Sequence, residues 1–358
     1  MEEHEKPTFT MVKNLIPRLA EVGKIKIGGK GEKRKKQGSN EYYRLPVKDD
    51  KFTITTLEKD GNDDFVKDEA TMQIIGELTG QDPNNLKRLP IRLLYDSPVL
   101  NFPTCYACYK GTTCWCRGNG ELAERHDVVG ELPKLVTCPC ERQNPEYNKP
   151  DKCKLTGTLS VVLEGIPKFG GVWKFRTTSY NSVTNILSSL ALFYTNNLGI
   201  LADIPLSLEI TPKTVSIPGQ KKTTKIYMVF LTFDGAKQKM KALAYDEGKH
   251  REQFGVKMKE IEAGAHLYNT PETEEEALDF SEEYYPDPGD DAAAENIRNA
   301  IRPETEAPDG VDPETGEITN PEEPEGPTAE ESARALEDSA RAFQRYSDEV
   351  KKIQPRWA

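Results

Sequence analysis

The sequence predicts an α+β body built on antiparallel strands, with a metal-stapled loop set into it. Two segments read as hairpins: GTLSVVL–EGIPKFGG–VWKFRTT, and LSLEI joined through IPGQKKTTK to a second apolar run. The regular alternation of strand and helix that marks a parallel α/β sheet is missing. All seven cysteines fall between Cys105 and Cys153, in a stretch rich in Gly, Pro and Asn.

Taken in order, residues 1–20 read as a flexible N-terminus. The segment Lys24–Lys36, KIKIGGKGEKRKK, begins strand-like and becomes a basic glycine loop. FTITTL at 52–57 has strand character. A helix is predicted over 65–79, with Ala70, Ile74, Ile75 and Leu78 on one face and Gly80 as its stop. IRLLY at 91–95 reads as a strand. The cysteine region 101–154 lacks periodicity and reads as an insertion that needs a staple.

Beyond it, strands are predicted at 157–163 and 172–178, the latter with Trp173 and Phe175 sharing the core-facing side. Ser182 has the chemistry of an N-cap for a helix burying Val183, Ile186, Leu187, Leu190 and Tyr194, which ends near Asn197–Gly199. Strands at 206–210 and 225–233 and a charged helix over 236–262 complete a body spanning 21–265. Residues 266–327 form an acidic linker too poor in apolar residues to fold. At Thr328, TAEE is a capping box, and Ala333, Leu336, Ala340, Phe343 and Val350 make 328–352 an amphipathic helix suited to partner docking.

The net charge of −11 conceals an asymmetry. Residues 1–270 hold 40 Lys and Arg against 33 Asp and Glu, a net +7; residues 271–358 hold 8 against 26, a net −18. A basic body with an acidic tail suits a protein that works near nucleic acid. Hydrophobic residues make up 36% and mean hydropathy is −0.67, and no apolar run approaches the ~18 residues of a membrane span. MEEHEKPTFT lacks the pattern of a signal peptide, so a soluble cytoplasmic protein is expected.

The cysteines occur as a CxxC (Cys105, Cys108), a CxC (Cys114, Cys116), a second CxC (Cys138, Cys140) and Cys153. Thiolates in close pairs suit tetrahedral zinc, and metal binding would offset the poor core of this region. Seven thiols exceed one four-ligand site and fall one short of two unless His126 joins. The expected role is structural. No HExxH, no deaminase pattern, no Walker loop and no G-x-S-x-G is present, so no enzyme is expected. Lys24, Lys26, Lys30, Lys33, Arg34, Lys35 and Lys36, followed by Tyr42 and Tyr43, combine phosphate-seeking charge with stacking rings and are the candidate nucleic-acid contacts.

The run CKLTGTLSVVLEGIPKFGGVWKFRTTSYNSVTNI, starting at Cys153, resembles a phage and prophage family known as recombination directionality factor-like, and loosely as "hydrolase or metal-binding protein". GKIKIGGKG, FTITT, TMQIIGELTG, CRGNGE and CPC are compatible with it, so the resemblance covers about residues 20–235. It implies a structural zinc on Cys116, Cys138, Cys140 and Cys153; Cys105, Cys108 and Cys114 depart from the pattern. It further implies a phage or prophage protein that binds a serine integrase on DNA and switches it from integration to excision. A single-stranded DNA-binding or recombination mediator protein is the alternative reading of the same basic body and acidic tail.

Overall fold

The computed structural model describes residues 19–35, 42–62, 64–110, 113–126, 133–144, 147, 152–168, 170–216, 223–265 and 284. The acidic linker (Tyr284 apart), the helix expected over 328–352, and Lys36 lie outside them. Of the chain's two compact units, the first, Met1–Val215 with Thr223–Arg302, contains all described residues but Ser216.

The elements run β1 (Glu21–Lys26), β2 (Gly29–Lys35), β3 (Tyr42–Val47), β4 (Thr53–Lys59), β5 (Phe65–Lys67), α1 (Glu69–Thr79), β6 (Arg88–Arg92) and α2 (Pro98–Asn101). They continue with β7 (Thr104–Lys110), β8 (Thr113–Gly118), β9 (Leu122–Arg125), β10 (Lys134–Thr137) and a 3-10 turn at Glu141–Gln143. Then follow β11 (Lys154–Leu163), β12 (Val172–Thr177), α3 (Tyr180–Asn196), β13 (Leu206–Ser216), β14 (Thr223–Thr232), α4 (Lys237–Phe254) and α5 (Met258–Ala265).

The α+β class holds, but the sheet is mixed. Its main path is β10-β9-β8-β7-β11-β12-β1-β4-β5, and β1 lies parallel to β12. β11 is shared between two branches: Lys154–Gly157 pair with β7, while Val162 and Leu163 pair with β6, which leads to β13 and β14. β2 and β3 form a separate two-stranded hairpin.

Alternation explains the core. Leu159, Val161, Trp173, Phe175, Ile25 and Ile54 all point to one side of the main sheet and are buried. Leu89, Ile91, Leu206, Leu208, Val229 and Leu231 meet them from the β6 branch, with α1, α3 and α4 adding Ile75, Ile186, Leu190 and Met240. Each such large side chain contributes about 2 kcal/mol through burial. Gly157 lets the aromatic ring of Phe102 lie against β11; a Cβ there would stand 2.5 Å from Phe102 Cζ. Asp96 fastens the later helices: its carboxylate accepts from the Leu201 and Ala202 N–H groups at 2.9 and 3.0 Å and from Arg251 of α4 at 2.6 Å. Arg251 also holds Glu247 at 2.7 Å.

Several expectations are corrected. The glycine-basic loop is largely strand, because β2 finds a partner in β3. The first helix starts at Glu69, capped by Asp68, whose carboxylate accepts from Thr71 N–H, and residues 65–67 pair with β4 instead. Its buried face is Thr71, Met72, Ile75 and Gly76, whereas Leu78 is exposed; the stop at Gly80, left-handed, is as expected. Ser179, not Ser182, occupies the cap position of α3; Ser182 is buried inside the helix and accepts from the Val229 N–H. The single helix over 236–262 is broken at Gly255, whose left-handed backbone ends α4. The cysteine region is no loose loop: it contributes four strands, β7 to β10, to the sheet.

Candidate metal centre and the polar face of the sheet

Strand geometry sorts the thiols. Residues three apart on a strand point to opposite sides, so the CxxC of β7 is split. Cys108 faces a cluster with Cys116, Ala123, Cys138 and Cys153, while Cys105 faces the other side with Ala107 and Tyr109. The CxC of β8 would normally keep both thiols together, but the register slips there: Cys108 opposes Cys116, and Tyr109 opposes Cys114. The extra residue sends Cys114 to the Cys105 side and leaves Cys116 beside Cys108. Cys138 arrives from the end of β10, Cys140 precedes the 3-10 turn, and Cys153 immediately precedes β11.

Cys108, Cys116 and Cys138 are buried and Cys140 and Cys153 half-buried; none of the seven is in a disulfide. Burial, together with Cys108, Cys116, Cys140 and Cys138, pushes the Cys153 thiol up to about 12, so the five sulfurs lie within electrostatic reach of that one thiol. Among the described residues, Gln143 and Arg125 address the cluster. Gln143 Nε2 donates to Cys138 Sγ at 3.1 Å. The Arg125 guanidinium is hydrogen-bonded to Cys116, which raises its pKa. Gly118 gives Cys138 its room, since a Cβ there would stand 3.0 Å from the Sγ. The donor set therefore fits a thiophilic cation in chemistry, with N–H groups placed to orient sulfur. Among the described residues no three His, Cys, Asp or Glu side chains already surround a common point as ligands.

The remaining cysteine-region candidates sit elsewhere. Cys105 Sγ accepts from Arg117 Nε at 3.2 Å and lies 3.1 Å from Thr156 Oγ1. Cys114 Sγ donates to the Cys116 carbonyl at 3.7 Å. His126 follows β9, its backbone N–H on the Trp115 carbonyl.

The basic candidates divide into two groups. Lys33, Arg34, Lys35 and Tyr42 are exposed on the β2–β3 hairpin, where Lys35 opposes Tyr42 and Arg34 opposes Tyr43; Lys30 lies on β2. Lys24 and Lys26 belong to the main sheet, on the side away from the core. Lys24 is buried, with its Nζ 3.6 Å from Glu21 and 4.4 Å above the Phe65 ring; Lys26 and Lys59 approach the same ring at 4.9 and 5.4 Å.

Sequence reading missed the centre of this side, Glu21. Its carboxylate receives two hydrogen bonds from Arg176, at 2.8 and 2.7 Å, and lies 3.4 Å from Lys174. Burial alone would push the carboxyl up, but Arg176, Lys24 and Lys174 more than reverse this and hold it at about 2. The one signal was alternation: Lys174 and Arg176 necessarily face away from Trp173 and Phe175.

A family model described as Gp3-like, recombination directionality factor-like, matches residues 22–234, more than half of the chain. No curated protein and no solved structure gave a significant match.

Proposed function

Because the chain belongs to the recombination directionality factor-like family, we propose that it is a non-enzymatic accessory protein that binds a serine integrase on DNA and biases it toward excision. The family match carries this reading; it runs from β1 through β14 and so takes in the whole sheet. Such a factor acts by population shift. It needs only to bind one integrase–DNA arrangement better than another, and it needs no nucleophile. A partner surface must therefore be held in a fixed shape.

The thiol cluster supplies that rigidity in this proposal. Zinc held by Cys116, Cys138, Cys140 and Cys153, with Cys108 as the adjoining sulfur, would tie the β8 strand, the β10 end and the β11 start together. When bound, the metal would supply a cross-link and no reaction step. Arg125 would offset the negative charge of the thiolates, and Gln143 would orient Cys138.

The deciding experiment combines the full chain with a large serine integrase from the same phage or prophage and DNA carrying the two product sites. Capture of the integrase together with chain-dependent excision is expected. A folded chain that neither captures the integrase nor alters recombination refutes the proposal.

Direct contact with single-stranded DNA is the second reading, and the exposed cations and Tyr42 of the β2–β3 hairpin favour it. Lys33→Glu with Lys35→Glu is expected to weaken a low-salt gel shift at least tenfold. An unchanged shift rules the hairpin out.

A further inference from the structure

α4 (Lys237–Phe254) begins just past residue 234, where the stretch matched by the family model ends, so a role for its outer face does not come with the family match. The inner face fixes the helix to the body. Met240 and Ala244 are buried there. Arg251 is held by Asp96 at 2.6 Å and donates to the Ala202 carbonyl at 3.2 Å. Gly248 packs so closely that a Cβ on it would stand 3.2 Å from Ile200 Cδ1. The direction of the opposite face is thereby set.

That face is basic. Lys237, Lys239, Lys241, Tyr245 and Lys249 are all exposed. Lys237, Lys241, Tyr245 and Lys249 follow at four-residue steps and make a row along the helix, with about 6 Å of rise per step. Among the described residues, Lys237, Lys239 and Lys241 have no ion-pair partner. Asp234, just before the helix, is taken: it accepts from Arg88 at 2.8 Å and from Ser207 at 3.2 Å. The first turn contains no acidic residue. The carboxylates of the helix come later, with Glu247 held by Arg251 and Asp246 and Glu252 exposed. Cations in the first turns of a helix oppose its dipole, so these lysines add nothing to the stability of α4.

We propose that the outer face of α4 is a contact surface for the phosphate backbone of duplex DNA. Its charge selects a polyanion. From Lys237 to Ala242 the exposed residues are Lys, Gln and Ala only, whereas protein interfaces are poor in lysine and centred on aromatic or arginine anchors. A single strand would be held by rings on which bases stack, but the face of the Tyr245 ring carries Lys249 Nζ, 4.4 Å from its centroid. Lysines on a rigidly held helix suit a stiff backbone, and such contacts hold position on DNA without reading its sequence. The surface uses neither the thiol cluster nor the β2–β3 hairpin, and it requires no integrase.

Fluorescence anisotropy of the full chain without integrase tests it, with a labelled duplex of about 20 base pairs and the matching single strand, between about 0.05 M and about 0.3 M salt. The wild type is compared with Lys237→Gln, Lys239→Gln and Lys241→Gln combined, and with the same three positions changed to Arg. The wild type is expected to bind the duplex and to lose affinity steeply as salt rises. The Gln variant should bind at least tenfold more weakly at the lowest salt, with a log–log salt slope shallower by about 2. The Arg variant, which keeps the charge, should retain both. Thermal melting of the Gln variant is expected to be unchanged or slightly raised, which certifies its fold. The proposal is overturned by no duplex binding at the lowest salt, by equal affinity and slope in wild type and Gln variant, or by tighter binding of the single strand through the same lysines.

Discussion

Replacing Glu21 by Gln isolates the electrostatic centre of the sheet. The carboxylate sits among Arg176, Lys174 and Lys24 with 7% of its side chain exposed. Burial alone would raise its pKa, but the three cations outweigh burial and hold it at about 2, against the ordinary 4.5. That difference corresponds to roughly 3 kcal/mol in favour of the folded chain. A carboxyl depressed by folding contributes fully above about pH 4.5 and loses its contribution as the pH falls toward about 2. By pH 3 about 2 kcal/mol of it is gone. Gln keeps the shape and does not titrate. Urea unfolding of both full chains should therefore show Glu21→Gln weaker by about 3 kcal/mol at pH 7 and by only about 1 kcal/mol at pH 3. Other carboxyls titrate alike in both proteins and cancel. A stability gap of the same size at pH 7 and pH 3 would refute the assignment.

Three further outcomes are expected. Arg251→Ala strands the Asp96 and Glu247 carboxylates and should cost about 3 kcal/mol in urea unfolding, with Arg251→Lys recovering part of it; a loss below about 0.5 kcal/mol, typical of a surface pair, counts against the linchpin role. Gly157→Ala drives a methyl into the Phe102 ring and should cost about 2 kcal/mol, most of it restored by Phe102→Leu; an unshifted midpoint means the ring moves aside freely. Plasma emission analysis should find zinc lost from Cys138→Ser and Cys153→Ser but kept in Cys105→Ser and Cys114→Ser, while Gln143→Ala weakens it about tenfold. Equal zinc content in all five variants would remove the thiol cluster as the site.

Legibility in the sequence followed the strength of the alternating signal. GTLSVVL and VWKFRTT carry bulky apolar residues at every second position, and the strands, the hairpin and the core-facing Trp173 and Phe175 are as read. The cysteine strands carry no such alternation, since in TCYACYK Cys and Tyr fall on both sides, so the thiols read as ligands of a loop rather than as side chains of a sheet. Without strands, the opposite directions of Cys105 and Cys108 could not be seen, nor could the slipped register that divides Cys114 from Cys116. Gly255 does not stand out in the sequence, because a charged helix offers little apolar periodicity against which a break shows. Glu21 gives little local signal; apart from Lys24, its partners Lys174 and Arg176 come from a strand some 150 residues later, brought beside it by the parallel pairing of β1 with β12.

β11 has a consequence for how the molecule comes apart. The strand starts one residue after Cys153 and ends at Leu163, inside the core. The same backbone ladder thus borders the sulfur cluster at one end and the β6 branch at the other. Neither region can open without fraying a strand that the other needs. The cysteine-rich strands are therefore bound into the same cooperative unit as the apolar core, and the two should melt in one transition rather than two.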